Sequence, residues 1–275
     1  MMRLVTDSGS MIPAALRERF RVIVVPVTVT VDGVEYHEGA DLPVADFYTR
    51  LAEGATVSTS APSPGAILDA YRLAMGEGAD EVLSIHTGSN YSATVSAATI
   101  AARHADVNVE VVDTGLASFL VTLCLWAAGD AVDAGRPIGD AVNAARAAAL
   151  DAGSVFVVGV PELARRGGRF VGVSLEVTPL SIVELDGNGT RLLNQVSDIE
   201  AAIDVMADRV IALAGQTPLR VGVGDALRSD VAVALEERLV ATPGIIELVR
   251  YQVGPSVGAH TGAGTVGMAY SPIEV

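Results

Sequence analysis

The sequence predicts an α/β protein built around a largely parallel sheet, and three observations carry that prediction. Runs rich in β-branched residues alternate with segments of helical character along all 275 residues. Half of the residues are hydrophobic, enough for a substantial core in one large or two medium domains. Two strand-like runs also end in the same order of acid, hydroxyl and glycine: Asp7-Ser8-Gly9 and Asp113-Thr114-Gly115.

The elements follow in order. Arg3–Thr6 reads as a short strand, and Pro13 opens a helix through Phe20, a position that suits proline. Arg21–Val31 is β-branched and leads into Asp32-Gly33, a hairpin signal. A helix is expected from Pro43 to Glu53, then a polar, proline-punctuated loop over Thr56–Pro64 and a helix through Met75. Strand Glu81–Ile85, helix Ser92–His104 and strand Asn108–Val112 come next, followed by alanine-rich helices over Leu116–Ala134 and Ile138–Ala152. The second half reads as strand Ser154–Val160, a short basic helix, a hairpin at Asp186-Gly187-Asn188-Gly189 and helix Ile199–Leu213. Strand Leu219–Gly224, helix Ser229–Val240, strand Ile245–Val253 and a glycine-rich segment complete it. This divides the chain into an N-terminal domain, 1–153, and a C-terminal domain, 154–275, expected to share an interface where a ligand could sit.

Composition excludes several functions. A net charge of −15 repels nucleic-acid phosphates and anionic lipid headgroups. All 18 basic residues are arginines, so P-loop, Schiff-base and general-base lysines are ruled out. Cys124 is the single cysteine, which precludes an internal disulfide and a thiolate cluster. His37, His86, His104 and His260 lack paired metal-ligand spacing, so no metal site is expected. The N-terminus turns polar too early for a signal peptide, and the longest apolar stretch, Leu116–Ala128, falls short of the roughly 20 residues a spanning helix needs. A soluble, cytoplasmic protein is expected.

Two groups of residues attract functional interest. Gly262, Gly264 and Gly267 match G-x-G-x-x-G, but too little chain follows for the helix and acid of a dinucleotide site. What remains is a loop that permits close backbone approach and presents His260. Hydroxyls crowd the other group: Ser58, Thr59, Ser60 and Ser63, then Ser84, Thr87, Ser89, Ser92 and Thr94. Hydroxyls beside helix N-termini suit an anion, although the same residues serve as ordinary loop residues and caps. Ser92, His260 and Asp7 or Asp113 supply the residue types of a hydrolase triad, but no serine occupies a G-x-S-x-G elbow. Asp7 and Asp113 read as turn and cap acids. A binding site without a reactive centre is the expectation.

At these loops the sequence resembles the DegV family of fatty-acid-binding proteins, and the resemblance spans nearly the whole chain. Val5-Thr6-Asp7-Ser8 is similar to the family's first strand and turn, and Thr59-Ser60-Ala61-Pro62-Ser63-Pro64 to its T-S-x-P-S-P loop. Gly88–Thr94 resembles S-S-x-L-S-G-T, and Val112-Asp113-Thr114 the V-D-[ST] strand end. Leu163–Arg169 resembles L-x-x-G-G-R preceded by basic residues, and Gly258–Thr265 the terminal G-x-H-x-G-P-G loop. The resemblance implies helices on both faces of the N-terminal sheet and a mixed sheet in a second α/β domain. It implies a carrier that is not an enzyme, takes no cofactor and holds one long-chain fatty acid in an apolar tunnel. By position, the carboxylate would meet Thr59, with Ser60, Ser92 and His260. A separate ATP-dependent fatty acid kinase would phosphorylate that carboxylate toward phospholipid synthesis, with Arg165, Arg166 and Arg169 guiding the partner or its phosphate. The alternatives are an acyl hydrolase or transferase using Ser92 and His260, or a sensor of another small carboxylate or lipid. Gly88, Ala93 and Ala263 depart from the family's serine, glycine and proline. The stretch from Arg169 to Pro179 is short, and Thr178 replaces a basic residue.

Overall fold

The structure, a computed structural model, describes residues 1–168, 173–176, 178–186 and 189–273. The chain forms two compact units: residues 1–43 with 56–150, and residues 44–55 with 151–275. Its first part contains β1 (Met2–Asp7), a 3-10 turn (Ser8–Ser10), α1 (Ala14–Arg19), β2 (Ile23–Val25), β3 (Thr28–Val31), β4 (Val34–His37) and α2 (Val44–Ala52). There follow β5 (Val57–Ser60), α3 (Pro64–Gly76), β6 (Glu81–His86), α4 (Thr94–Ala102), β7 (Asn108–Asp113), α5 (Phe119–Asp133) and α6 (Ile138–Asp151).

In the first unit, the strands in order β2-β1-β6-β7 are parallel throughout. One sheet face carries Val5, Val25 and Val82 against Ile67, Tyr71 and Ala74 of α3 and Ala98 and Ala101 of α4. The opposite face meets α5, whose residues Phe119–Trp126 are all buried, as befits a helix that is apolar all round. The β-branched run expected as one strand is broken at Pro26, and its halves enter different sheets. Thr28–Val31 joins a small antiparallel sheet of order β4-β3-β5, closed by Asp32 and Gly33 at φ 49° and 81°, the conformation of a primed hairpin turn. Thr56–Pro64 is therefore not a loop throughout: Val57–Ser60 is strand β5, paired with β3 from Val31↔Val57 to Thr28↔Ser60. Val57 and Thr59, both β-branched and half-buried, alternate with exposed Ser58 and Ser60, and this period of two outweighs the polar composition.

The second unit contains α2, β8 (Gly153–Val157), α7 (Pro161–Gly167), β9 (Leu180–Asp186), β10 (Gly189–Val196), α8 (Ile199–Ala214), β11 (Leu219–Asp225), α9 (Ser229–Leu239), β12 (Ile245–Gln252), α10 (Pro255–Thr261) and β13 (Val266–Pro272). Among the described residues they build a mixed sheet in the order β10-β9-β8-β13-β11-β12, where only β11 and β12 run parallel. Helices α8 and α9 close one face around Ile203, Met206, Val210, Val231 and Leu235. The expected hairpin pairs from Asp186↔Gly189 outward; Gly187 and Asn188, its tip, lie outside the described residues. Two expectations change here. The glycine-rich end is a short helix and a strand inside the sheet, because its small residues fit between β8 and β11. Helix α2, expected within 1–153, packs with the second unit, where its buried Tyr48 donates a hydrogen bond to the Val253 carbonyl at 2.9 Å.

Gly129 in α5 tests how tightly the first unit is packed. A methyl group there would sit 2.6 Å from the ring of Phe20. Helix propensity favours alanine by about 1 kcal/mol, whereas overpacking costs about 1–3 kcal/mol. Gly129→Ala should therefore lower stability by up to about 2 kcal/mol in chemical denaturation. A midpoint at or above that of the parent would show that Phe20 yields without cost.

Candidate functional site

The carboxyl ends of the parallel strands are organised by one buried acid. Asp7, the last residue of β1, is fully buried. Its Oδ2 accepts from the Thr87 amide at 2.9 Å and lies 3.0 Å from His86 Nδ1, while its Oδ1 accepts from the Thr87 hydroxyl at 2.8 Å. His86 Nε2 lies 2.7 Å from Ser84 Oγ, which accepts from the Tyr71 hydroxyl at 2.8 Å. One directional assignment satisfies every donor: Tyr71 to Ser84, Ser84 to His86 Nε2, and His86 Nδ1–H to Asp7. Burial opposes ionisation of Asp7, but the His86 ring and the Thr87 amide and hydroxyl outweigh it and hold the carboxyl below its ordinary value.

This array has the residue types and spacing of a nucleophilic triad, but not its access. Ser84, His86 and Asp7 have no exposed surface, and Tyr71 occupies the serine. Its arrangement suits rigidity rather than attack on a substrate. In the sequence alone His86 is one of four scattered histidines and Asp7 a turn acid, so the network is not visible there. The available signal is Ser84 and His86 at a spacing of two in a strand whose other residues after Glu81 are apolar, which places both on one face.

Two neighbouring loops lean on this hub. Thr87 leads into Gly88, whose amide donates to the Leu116 carbonyl at 2.7 Å. A Cβ on Gly88 would lie 2.5–2.6 Å from the backbone of Gly115 and Leu116, so the serine of the family pattern has no room here. Asp113 Oδ1 accepts from the amides of Ser89 and Gly115, both at 3.0 Å, joining the two loops. Three of the motifs singled out in the sequence thus meet at one sheet end.

The hydroxyl candidates separate by position. Ser63 caps α3, accepting from the Ala66 amide at 3.1 Å. Half-buried Ser92 precedes α4, with its Oγ 2.7 Å from Thr94 Oγ1. The helix begins at Thr94 rather than at Ser92, with Ala93 at the cap. Thr59 and Ser60 point to opposite faces of β5, so their side chains do not act as one pair.

In the second unit, α7 and α10 pack together and their flanking loops interlock. The Val160 amide donates to the Thr261 carbonyl at 2.8 Å, and the Gly159 amide to Thr265 Oγ1 at 3.0 Å. A side chain on Gly159 would collide with the Ala263 backbone, and one on Gly262 with Val160. The glycines of the terminal motif therefore serve close packing rather than a phosphate. Tyr48 of α2 braces Gly258 at the base of α10. The ring of His260 lies against Gly167 at the end of α7. Arg165 and Arg166 are exposed on α7 and pair with Glu162 at 3.2 and 2.9 Å. Arg169, the third candidate arginine, lies outside the described residues.

A shallow hollow of about 460 Å³ opens at the carboxyl ends of β11 and β12, where Arg250 pairs with Asp225. Burial pushes the Cys124 thiol up to about 12, which makes it a core residue rather than a nucleophile. Among the described residues, no group of three His, Cys, Asp or Glu side chains could hold a metal ion, and no helix is long and apolar enough to cross a membrane.

Because folding lowers the pKa of Asp7, its ionised form contributes stability above the ordinary carboxylate value of 3.8. That contribution is lost as pH falls from there through the folded-state value. Asp7→Asn should cost about 1.5–3 kcal/mol at neutral pH, since an amide sets a donor against the Thr87 amide. The variant should also lose part of the acid-limb slope. Equal slopes below the ordinary carboxylate value in variant and parent would refute this role.

The family described as "Uncharacterised protein, DegV family" matches residues 1–272. A DegV domain-containing protein of Streptomyces coelicolor is 34% identical over 275 residues, covering 98% of this chain and 97% of its own. One from Mycobacterium tuberculosis is 32% identical over 277 residues, covering 96% and 95%. Among solved structures, a DegV family protein from Thermus thermophilus, described by its fatty acid binding, superposes with a TM-score of 0.89 at 28% identity over 99% of both chains. The Bacillus subtilis DegV structure shares the fold at a TM-score of 0.88 and 24% identity, again over 99% of both. The chain belongs to the DegV family.

Proposed function

We propose that this protein binds a long-chain fatty acid non-covalently and presents its carboxylate to a separate ATP-dependent kinase. The observation that carries this reading is the full-length similarity to the Thermus thermophilus protein, whose structure is described by its fatty acid binding. In this reading Thr59, with Ser60, Ser92 and His260, holds the carboxylate. Hydroxyl and ring N–H donors to a carboxylate are charge-assisted, each contributing about 1.5–3 kcal/mol. The acyl tail supplies most of the affinity, about 0.8 kcal/mol per buried CH₂ before ordering costs. The kinase would move the γ-phosphoryl group of ATP onto a carboxylate oxygen, yielding an acyl phosphate and ADP, and so feed phospholipid synthesis. Arg165 and Arg166 are exposed where that partner or its phosphate could meet them.

The protein itself is read as a carrier and not an enzyme. Support comes from the absence of a nucleophile elbow in the sequence and from the sealed state of the Ser84–His86–Asp7 array. The hydrolase alternative, using Ser92 and His260, makes a different prediction: a serine-reactive acyl probe would label Ser92.

Native mass spectrometry of the delipidated chain with palmitic or oleic acid tests the reading, with one acyl chain per polypeptide expected. Failure to take up either acid would end it. Thr59→Ala and Ser92→Ala should each weaken binding by about 10-fold or more without a change in melting temperature, following the hydrogen-bond energies above. Parent-like affinity in both variants would overturn the site assignment while leaving the carrier intact. With the cognate kinase supplied, Arg165→Glu combined with Arg166→Glu should slow acyl phosphate formation while fatty acid binding stays unchanged. An unchanged rate would remove these arginines from the docking surface.

A further inference from the structure

The two adjacent glycines at the end of α7 have different reasons to be glycine. Gly168 adopts φ +65°, the left-handed conformation of a helix C-cap, and a side chain there would meet nothing within 4 Å. Its reason is the backbone. Gly167 is the last residue of the helix and carries no positive φ, so alanine would suit its backbone better than glycine does. Its reason lies outside the helix. A Cβ at Gly167 would stand 2.9 Å from His260 Nδ1 and 3.5 Å from His260 Cβ and Cγ. These are the neighbours such a side chain would meet first, and the closest of them belongs to the imidazole ring.

We propose that Gly167 is a positioning residue for His260: its bare α-carbon forms the floor on which the imidazole rests. The proposal deepens the carboxylate-binding reading and rests on it. Several features hold the two partners in register. Helix α10 is braced from below by Tyr48, which hydrogen-bonds the Val253 carbonyl and fills the space a side chain on Gly258 would need. The loops entering α7 and leaving α10 are joined by the Val160–Thr261 hydrogen bond. Neither helix backbone is therefore free to drift away from a new methyl group. The ring must move instead, by about half an ångström to regain ordinary contact. A hydrogen bond to a carboxylate is sensitive to such a displacement. The contact also ties His260 to the turn that bears Arg165 and Arg166, so a change at one end of α7 is felt at the ring.

A double-mutant cycle tests this, using the full delipidated chain and palmitic acid in equilibrium titrations. Gly167→Ala should leave the melting temperature unchanged or raised, yet weaken palmitate binding at least ten-fold. In a His260→Asn background, where tail burial keeps binding measurable, the same substitution should have no further effect. Gly168→Ala, which strains the cap without approaching the ring, should lower the melting temperature with little change in affinity. Full affinity in Gly167→Ala alongside a weakened His260→Asn overturns the positioning role and leaves the binding reading standing. An equal loss from Gly167→Ala in both backgrounds also overturns it, since the effect would not pass through His260. If His260→Asn itself binds palmitate like the parent, the histidine has no part in the site, and the proposal falls with that assignment.

Discussion

A carboxylate buried without surface is among the most demanding groups a fold can carry, and Asp7 shows what it requires in return. Removing a charge from water costs far more than one hydrogen bond restores, so the acid persists only when its acceptor sites are occupied. Here the donors come from the end of β6 and the residue after it. The acid of one strand thus fixes the exit of the next, and everything downstream inherits that geometry. Thr87 is held, Gly88 docks on Leu116, and Asp113 clasps Ser89 from the third strand. The half-buried hydroxyl of Ser92 lies three residues beyond that clasp, just ahead of α4.

In the second unit the loops flanking α7 and α10 reach comparable precision by another route. Their device is the absence of side chains. Gly159, Gly262 and Gly267 let the terminal segment approach β8 and its exit at distances a methyl group would forbid. Hydrogen bonds from Thr265 to the Thr261 and Gly262 carbonyls tighten the same turn. The loops around Asp7 are positioned by electrostatic satisfaction, those around α10 by steric closeness. Both outcomes are rigid, which is what a pre-arranged binding group needs if it is not to lose affinity to its own ordering.

How much of this was legible in the sequence depends on the range of the interaction concerned. Elements set by local pattern were readable: the strand before Asp7, the helix opened after Pro13, the Asp32-Gly33 turn and the basic helix ending in glycines. Val57–Ser60 was not, because its serines read as loop until the partner strand β3 supplies a ladder. The terminal glycines signal close backbone approach, but their partner across the sheet lies about a hundred residues away and leaves no local trace. His86 illustrates the same limit. A histidine on a strand says little until the fold brings Asp7 from 79 positions away into hydrogen-bonding range. The candidate residues Thr59, Ser92 and His260 came from motif order; the reason Gly167 accompanies His260 came only from three-dimensional packing.

The placement of α2 with the second unit has a consequence in time. Tyr48 hydrogen-bonds a carbonyl 205 residues further along the chain. At synthesis rates of about 5–20 residues per second, roughly 10–40 s separate the emergence of this helix from that of its partner. Throughout that interval Phe47 and Tyr48, both buried in the finished protein, have no permanent seat. The first unit can close around its parallel sheet while the segment between residues 43 and 56 hangs from it as an unsatisfied loop. The nascent protein therefore carries its own delayed insertion step, in which α2 waits for the segment whose Gly258 it finally braces.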